Sequence, residues 1–222
     1  MADSDNNIVI TVGRQFGSGG REFGRRLAEA LGFEFYDKRL LLEAARMAGM
    51  DVSFFERSDE KFPTFVSGSM AFNLGYNPMP WYTASSISDE SLYRDIATMI
   101  NSLADKGPCV IVGRSADYVL RNHPTARVIS LFVHAPIDIC VRRILERGDC
   151  DNPKAARQLA EKSNKLRAEY YNFYTDRQWG HAATYDLCLD SGSISMEAAV
   201  ALVRHYITLR YPDVELPEAA NS

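Results

Sequence analysis

The chain has 222 residues, 46% of them hydrophobic and 24% charged, with 25 Lys and Arg against 29 Asp and Glu and a formal charge of −4. That balance excludes a disordered or low-complexity chain, and the length suits one α/β domain carrying an insertion. The acidic excess argues against bulk binding to a nucleic-acid polymer or an anionic membrane, and no apolar run reaches the roughly 18–20 residues that span a bilayer.

The polar opening MADSDNN does not read as a secretory leader, so a cytoplasmic location is expected. The apolar run Ile8–Val12 predicts a buried strand, and a glycine-rich turn follows it directly. Phe23, Leu27 and Leu31 recur at four-residue spacing with Ala30 on the same face, which predicts a helix. A second short strand is expected at Phe33–Tyr36. Residues 58–88 carry prolines, glycines and aromatics without a clean period and read as a loop-rich insertion, whose aromatics either line a pocket or pack a contact between copies of the chain. Leu92, Ile96, Met99, Ile100 and Leu103 form one helical stripe, followed by strands at Cys109–Val112 and Val128–Val133. Residues 142–177 form a long polar helical stretch, nine Lys and Arg against six Asp and Glu, with a helix start marked by Asn152-Pro153. A last strand at Asp186–Leu189 and a helix capped by Ser195, with Val200, Val203 and Ile207 inward, complete the pattern; residues 211–222 are expected as a flexible tail. Strands alternating with helices, and apolar on both faces, imply a parallel sheet with helices on either side.

Cys109, Cys140, Cys150 and Cys188 are far apart and form no CxxC, and the four histidines are equally dispersed. Reduced core thiols are expected at Cys109, Cys140 and Cys188, and no zinc site.

The strongest chemical signal is Gly13-Arg14-Gln15-Phe16-Gly17-Ser18-Gly19-Gly20-Arg21 between strand and helix. Glycines let the backbone curl so that several N–H groups face one cavity, and the helix N-terminus adds partial positive charge. Gly17, Ser18, Gly19 and Gly20, flanked by Arg14 and Arg21, therefore read as a phosphate cradle. Two familiar fingerprints fail. GxGxxG from Gly17 meets Glu22 at its sixth place. GxxxxGK[ST] framed from Arg14 puts Gly20 where the lysine belongs and Arg21 where the magnesium-binding Ser or Thr belongs. Arg14 or Arg21 is expected to substitute for the lysine, with Gly20 making room for a guanidinium from Arg21 or from the 142–177 stretch.

On these residues the chain resembles the cytidylate-kinase-like branch of the P-loop nucleoside monophosphate kinases. Gly17-Ser18-Gly19 is similar to the family's phosphate loop, and Phe35-Tyr36-Asp37 to its second strand with its terminal aspartate. Val110-Ile111-Val112-Gly113-Arg114 resembles the third strand with its Gly-Arg end, and His134-Ala135-Pro136 through Arg142-Arg143 the helix that begins the lid. Tyr185 to Ser191 with Ser195–Ile207 resembles the last strand and helix. The resemblance implies a P-loop, three-layer α/β domain over residues 1–210. Its parallel sheet would be five-stranded in the order 2-3-1-4-5, with an acceptor-binding insertion at about 38–88 and a lid at about 142–177.

It also implies transfer of the γ-phosphate of ATP, with Mg2+, to a nucleoside monophosphate, CMP or dCMP first. The alternatives are a nucleotide-sensing protein with little transfer activity and a kinase for a different small acceptor. Arg114 is expected to hold the acceptor phosphate, with Asp37 and Arg39 beside it. Asp37 is also the candidate metal ligand; it competes with a reading in which it caps a helix from Lys38. Arg142, Arg143 and Arg147 are the candidate lid cations alongside Arg21, of which 143 and 147 share a helical face; the competing reading pairs such cations with Glu146 and Asp149 on a solvated face. Asn164, Lys165, Arg167 and Glu169 fall near the family's base-recognising helix without reproducing its Arg-Asp spacing. Tyr170, Tyr171, Phe173, Tyr174 and Trp179 either stack a base or pack the core.

Overall fold

The computed structural model describes residues 7–37, 40 and 82–217, and of 82–89, 91 and 92 the backbone. The chain divides into two compact units, Met1–Lys38 with Asn101–Ser222, and Arg39–Ile100. Of the insertion expected at 38–88, most lies outside the described residues, including Arg39 and the aromatic segment invoked for a contact between copies. Residues 82–88, expected as loop, are instead the first turns of a helix.

The larger unit is built on five strands: β1 (Ile8–Arg14), β2 (Glu34–Tyr36), β3 (Cys109–Val112), β4 (Arg127–His134) and β5 (Leu187–Asp190). The helices are α1 (Gly20–Leu31), α2 (Tyr82–Lys106), α3 (Ala116–Leu120), α4 (Ile137–Glu146), α5 (Pro153–Thr175) and α6 (Met196–Arg210). All strand pairs are parallel in the order β2-β3-β1-β4-β5, the order the resemblance implies. The β-branched runs of β1, β3 and β4 suit a sheet covered on both sides. Ile8, Ile10 and Val12 alternate onto one face with Val110, Ile129 and Leu131, where α1 and α6 supply Phe23, Leu27, Val203 and Ile207. The opposite face receives α3.

Local signals set the helix ends. Asn152 accepts the Ala155 N–H and Pro153 opens α5, while Ser195 caps α6 through the Ala198 N–H at 3.1 Å. The polar stretch 142–177 is thus two helices, α4 and α5, which pack on each other. Two details differ from expectation. Cys188 is exposed, because β5 is an edge strand, while Cys109 and Cys140 are buried. Burial pushes the Cys109 thiol up to about 12, as suits an inert core residue. Residues 211–217, expected as a loose tail, pack instead: Val214 joins the core and Asp213 pairs with Arg127 at 2.6 Å. Among the described residues, no helix is long and apolar enough to cross a membrane.

The topology fixes where chemistry can occur. β1 and β3 are neighbours, but the chain leaves β1 toward β2 on one side and leaves β3 toward β4 on the other. A crevice therefore opens at their carboxyl ends. Because β1 and β3 sit at the centre of this sheet beside β4, removing a fully buried side chain there should be costly. Ile129→Ala is expected to lower unfolding free energy by about 2–5 kcal/mol in a urea titration, with the denaturant slope unchanged.

Candidate functional site

The crevice is floored by the turn from β1 to α1. Gly17 and Gly19 adopt left-handed backbone, φ 81° and 79°, which L side chains resist. Gly19 stands at the helix N-cap with no side chain to cap it. The amides of Gly17, Gly19, Gly20 and Arg21 have no intramolecular acceptor among the described residues. The loop's other groups are tied down. Gln15 N–H donates to Val133 O at 3.0 Å, Phe16 N–H to Asn164 Oδ1 at 2.7 Å, and the buried Ser18 hydroxyl to Gln15 O at 3.0 Å. Open amides on a fixed frame at a helix N-terminus make an anion cradle.

Arg14 enters this cradle from below. A Cβ placed on Gly20 would lie 2.5 Å from Arg14 Cβ, and one placed on Gly113 would lie 2.9 Å from Arg14 Cζ. The side chain thus leaves the end of β1, passes under Gly20 and lies against the Gly113 turn at the end of β3. A lysine at position 20 has no room, because the stem of Arg14 fills that space. The occupant expected there was Arg21 or a lid arginine; Arg14 holds the place instead. Its partly buried guanidinium makes no hydrogen bond or ion pair among the described residues.

Two further cations converge. β3 ends in Gly113, Arg114 and Ser115, all left-handed at φ 88°, 59° and 53°. For the two non-glycine residues that backbone costs about 1–3 kcal/mol each, and Arg114 stands near enough to Arg14 and Arg167 to lower the proton affinity of both. Arg167 reaches in from α5 and donates from Nη1 to Arg14 O at 3.0 Å. Burial, then Arg167 and Arg114, pull the Arg14 guanidinium down to about 9. Burial, then Arg114 and Arg147, pull Arg167 down to about 10, and burial lowers Arg114 too. All remain cations at neutral pH, held together at electrostatic cost. A polyanion would relieve that cost.

A second layer fixes these groups. Asn164, Arg167 and Tyr171 lie on one face of α5, and the Tyr171 hydroxyl donates to Asp117 Oδ2 at 2.6 Å, three residues beyond Arg114. Burial raises the Asp117 carboxyl above its ordinary range and raises Tyr171 as well. Arg143 donates from Nη1 to Ser18 O at 2.9 Å and from Nη2 to Ser191 O at 2.7 Å, and the Ser191 hydroxyl donates to the same Ser18 carbonyl at 2.5 Å. That carbonyl points out of the cradle, which leaves the neighbouring amides pointing in.

The other expected residues are placed as follows. Arg147, past the end of α4, sits 5.5 Å over the Phe16 ring and pairs with Asp149 at 2.7 Å. Arg142 faces solvent, 3.9 Å from Glu146. Arg143 and Arg147 therefore share the loop-facing side and Arg142 does not. Arg21 Nε donates to Asp37 Oδ2 at 2.6 Å, with Arg21 70% exposed and Asp37 buried. The helix start at Lys38 lies outside the described residues. Lys165 and Glu169 pair at 3.9 Å on the outer side of α5, while Trp179 and Tyr185 pack edge-on and tilted against Phe132. Arg167, which the resemblance set near a base-recognising helix, lies against the Arg14 carbonyl, and the polar spacing of Asn164, Arg167 and Tyr171 marks the face that carries it.

Among the described residues, no set that would hold magnesium is present. Position 21 offers a guanidinium in place of a hydroxyl, Asp37 is committed to that guanidinium, and among the described residues no three His, Cys, Asp or Glu side chains cluster as metal ligands.

The model of the cytidylate kinase-like family matches residues 9–193. A cytidylate kinase of Methanopyrus kandleri is 23% identical over 209 residues, 89% of this chain and 92% of that protein. One of Pyrobaculum aerophilum is 26% identical, covering 90% and 92%. Among solved structures, an uncharacterized protein from Eubacterium ventriosum is 28% identical with a TM-score of 0.66, over 90% of this chain and 98% of that one. Shikimate kinase from Acinetobacter baumannii, 16% identical, shares the fold at a TM-score of 0.50 over 92% and 94%.

If Arg14 is a cation kept for an absent anion, removing its charge should help the empty protein and harm binding. Arg14→Met is expected to raise the unfolding free energy of the ligand-free protein by about 1 kcal/mol. It should also abolish the rise in melting temperature that inorganic tripolyphosphate gives the parent chain, as read by differential scanning fluorimetry.

Proposed function

This chain belongs to the cytidylate kinase-like family, and we propose that it is an ATP-dependent phosphotransferase acting on a nucleoside monophosphate, with CMP and dCMP the first candidates. The observation that carries the reading is the passage of Arg14 beneath the turn whose amides at Gly17 and 19–21 are open, with Arg114 and Arg167 near enough to Arg14 to lower its proton affinity. A simple dinucleotide turn has no need of three half-buried cations.

In this reading the donor polyphosphate lies on the Gly17–Arg21 amides, with Arg14 in the role usually given to the loop lysine. A guanidinium offers two parallel N–H donors and cannot titrate away near neutrality. Arg114, at the end of β3, holds the acceptor phosphate beside it. Arg167, bonded to the Arg14 carbonyl, lies between the two positions and balances charge as it spreads over the moving group. A phosphate oxygen of the acceptor attacks the γ-phosphorus, the bond from that phosphorus to the β-bridging oxygen breaks, and ADP leaves with the electron pair. The nucleophile is already an anion, so no general base is required. Positioning and charge stabilisation do the work. Arg143 acts at one remove, by holding the Ser18 carbonyl outward. The nucleotide-sensing alternative lacks a reason for Arg114 and Arg167 to face the same cradle.

ATP at a hundredfold excess over its Kd should stabilise the protein by about 3 kcal/mol. ATP with CMP or dCMP should release ADP in a coupled assay, and Arg114→Met should raise KM for the monophosphate well before it alters ATP binding. ATP stabilisation without ADP release on any monophosphate would move the assignment to sensing or to another acceptor.

A further inference from the structure

The loop departs from the usual pattern at two adjacent positions, and both departures remove something a metal-complexed triphosphate uses. Gly20 stands in place of the lysine, and Arg21 in place of the hydroxyl that ligates magnesium. Nearby carboxylates are already committed. Asp37 accepts from Arg21 at 2.6 Å. Glu22 accepts from Arg25 at 2.8 Å and from Arg26 at 2.6 Å. Asp117 is bonded to Tyr171 and Asp149 to Arg147. The same region supplies the guanidinium groups of Arg14, Arg21, Arg114 and Arg167. Among the described residues, guanidinium groups are therefore plentiful at the cradle, and no three His, Cys, Asp or Glu side chains cluster there as metal ligands.

We propose that this cradle binds nucleoside triphosphate free of protein-ligated magnesium, the four arginines Arg14, Arg21, Arg114 and Arg167 supplying the positive charge that the metal supplies in the ordinary loop. The inference rests on the polyphosphate reading of the site. Guanidinium forks suit this role because each presents paired donors to phosphate oxygens and is weakly hydrated, so it enters a dry site at lower cost than an ammonium. The ion pair with Asp37 holds Arg21 beside the first turn of α1. Its Nε keeps the bond to the buried Asp37 while its Nη atoms, on a side chain 70% exposed, are available to a phosphate oxygen.

Isothermal titration of the full chain with ATP, once in EDTA and once in excess magnesium, tests this. The expected result is a Kd in EDTA no more than about threefold weaker than in magnesium. Arg21→Thr, a replacement at an exposed position that restores a metal-binding hydroxyl, is expected to bind about tenfold more weakly in EDTA than the parent chain. Its thermal unfolding shows that it is folded. Parent binding that is tenfold or more tighter with magnesium would overturn the proposal, as would Arg21→Thr binding as well as the parent in EDTA. Absence of ATP binding in both buffers would instead overturn the polyphosphate reading itself, so the two failures are distinguishable.

Discussion

The interaction on which this site depends is a repulsion. Arg14, Arg114 and Arg167 stand close together: burial first, then Arg167 and Arg114, pull the Arg14 guanidinium down to about 9, and burial, then Arg114, lowers Arg167. Like charges in a partly buried crevice are costly to assemble. Asp37 supplies one opposite charge to Arg14 from within the chain, and a bound polyanion would add more. The open amides at the start of α1 point to the same missing partner, because their partial charges add to those of the guanidinium groups.

Holding such a cluster requires a stiff frame, and the structure has one. The loop is tied at Gln15 to β4, at Phe16 to Asn164 of α5, and at Ser18 to Arg143 and Ser191. The Tyr171–Asp117 bond links the helix carrying Arg167 to the segment just after Arg114. Left-handed backbone at Arg114 and Ser115 adds local strain at the same spot. Strain and repulsion are thus concentrated at the carboxyl ends of β1 and β3, and the buried β-branched core stabilises the fold around them.

Much of the architecture was legible in the sequence. Apolar runs locate all five strands: β-branched ones at β1, β3 and β4, and shorter aromatic or leucine-bearing ones at β2 and β5. The anion cradle was legible from glycine spacing. What the sequence hid was the path of one side chain. Gly20 reads as space for a guanidinium, but the residue that fills it comes from the preceding strand, since register places Arg14 under the turn while Arg21, one step into α1, swings outward to Asp37. Arg167 was similarly hidden. Its meaning comes from α5 lying against the loop, a contact between residues more than a hundred positions apart, which helical periodicity alone does not encode. The exposed Cys188 follows from β5 forming a sheet edge, whereas the packing of 211–217 rests on Val214 in the core and the Asp213–Arg127 pair.

The central claim is that Arg14 occupies the position and the role of the absent loop lysine. A crystal structure of the chain with a non-hydrolysable ATP analogue tests it most directly. The account predicts the triphosphate on the amides of residues 17–21, with a guanidinium nitrogen of Arg14 within hydrogen-bond distance, about 2.7–3.2 Å, of a β- or γ-phosphate oxygen. A triphosphate bound elsewhere, or bound in the cradle with Arg14 turned away from it, would contradict the account.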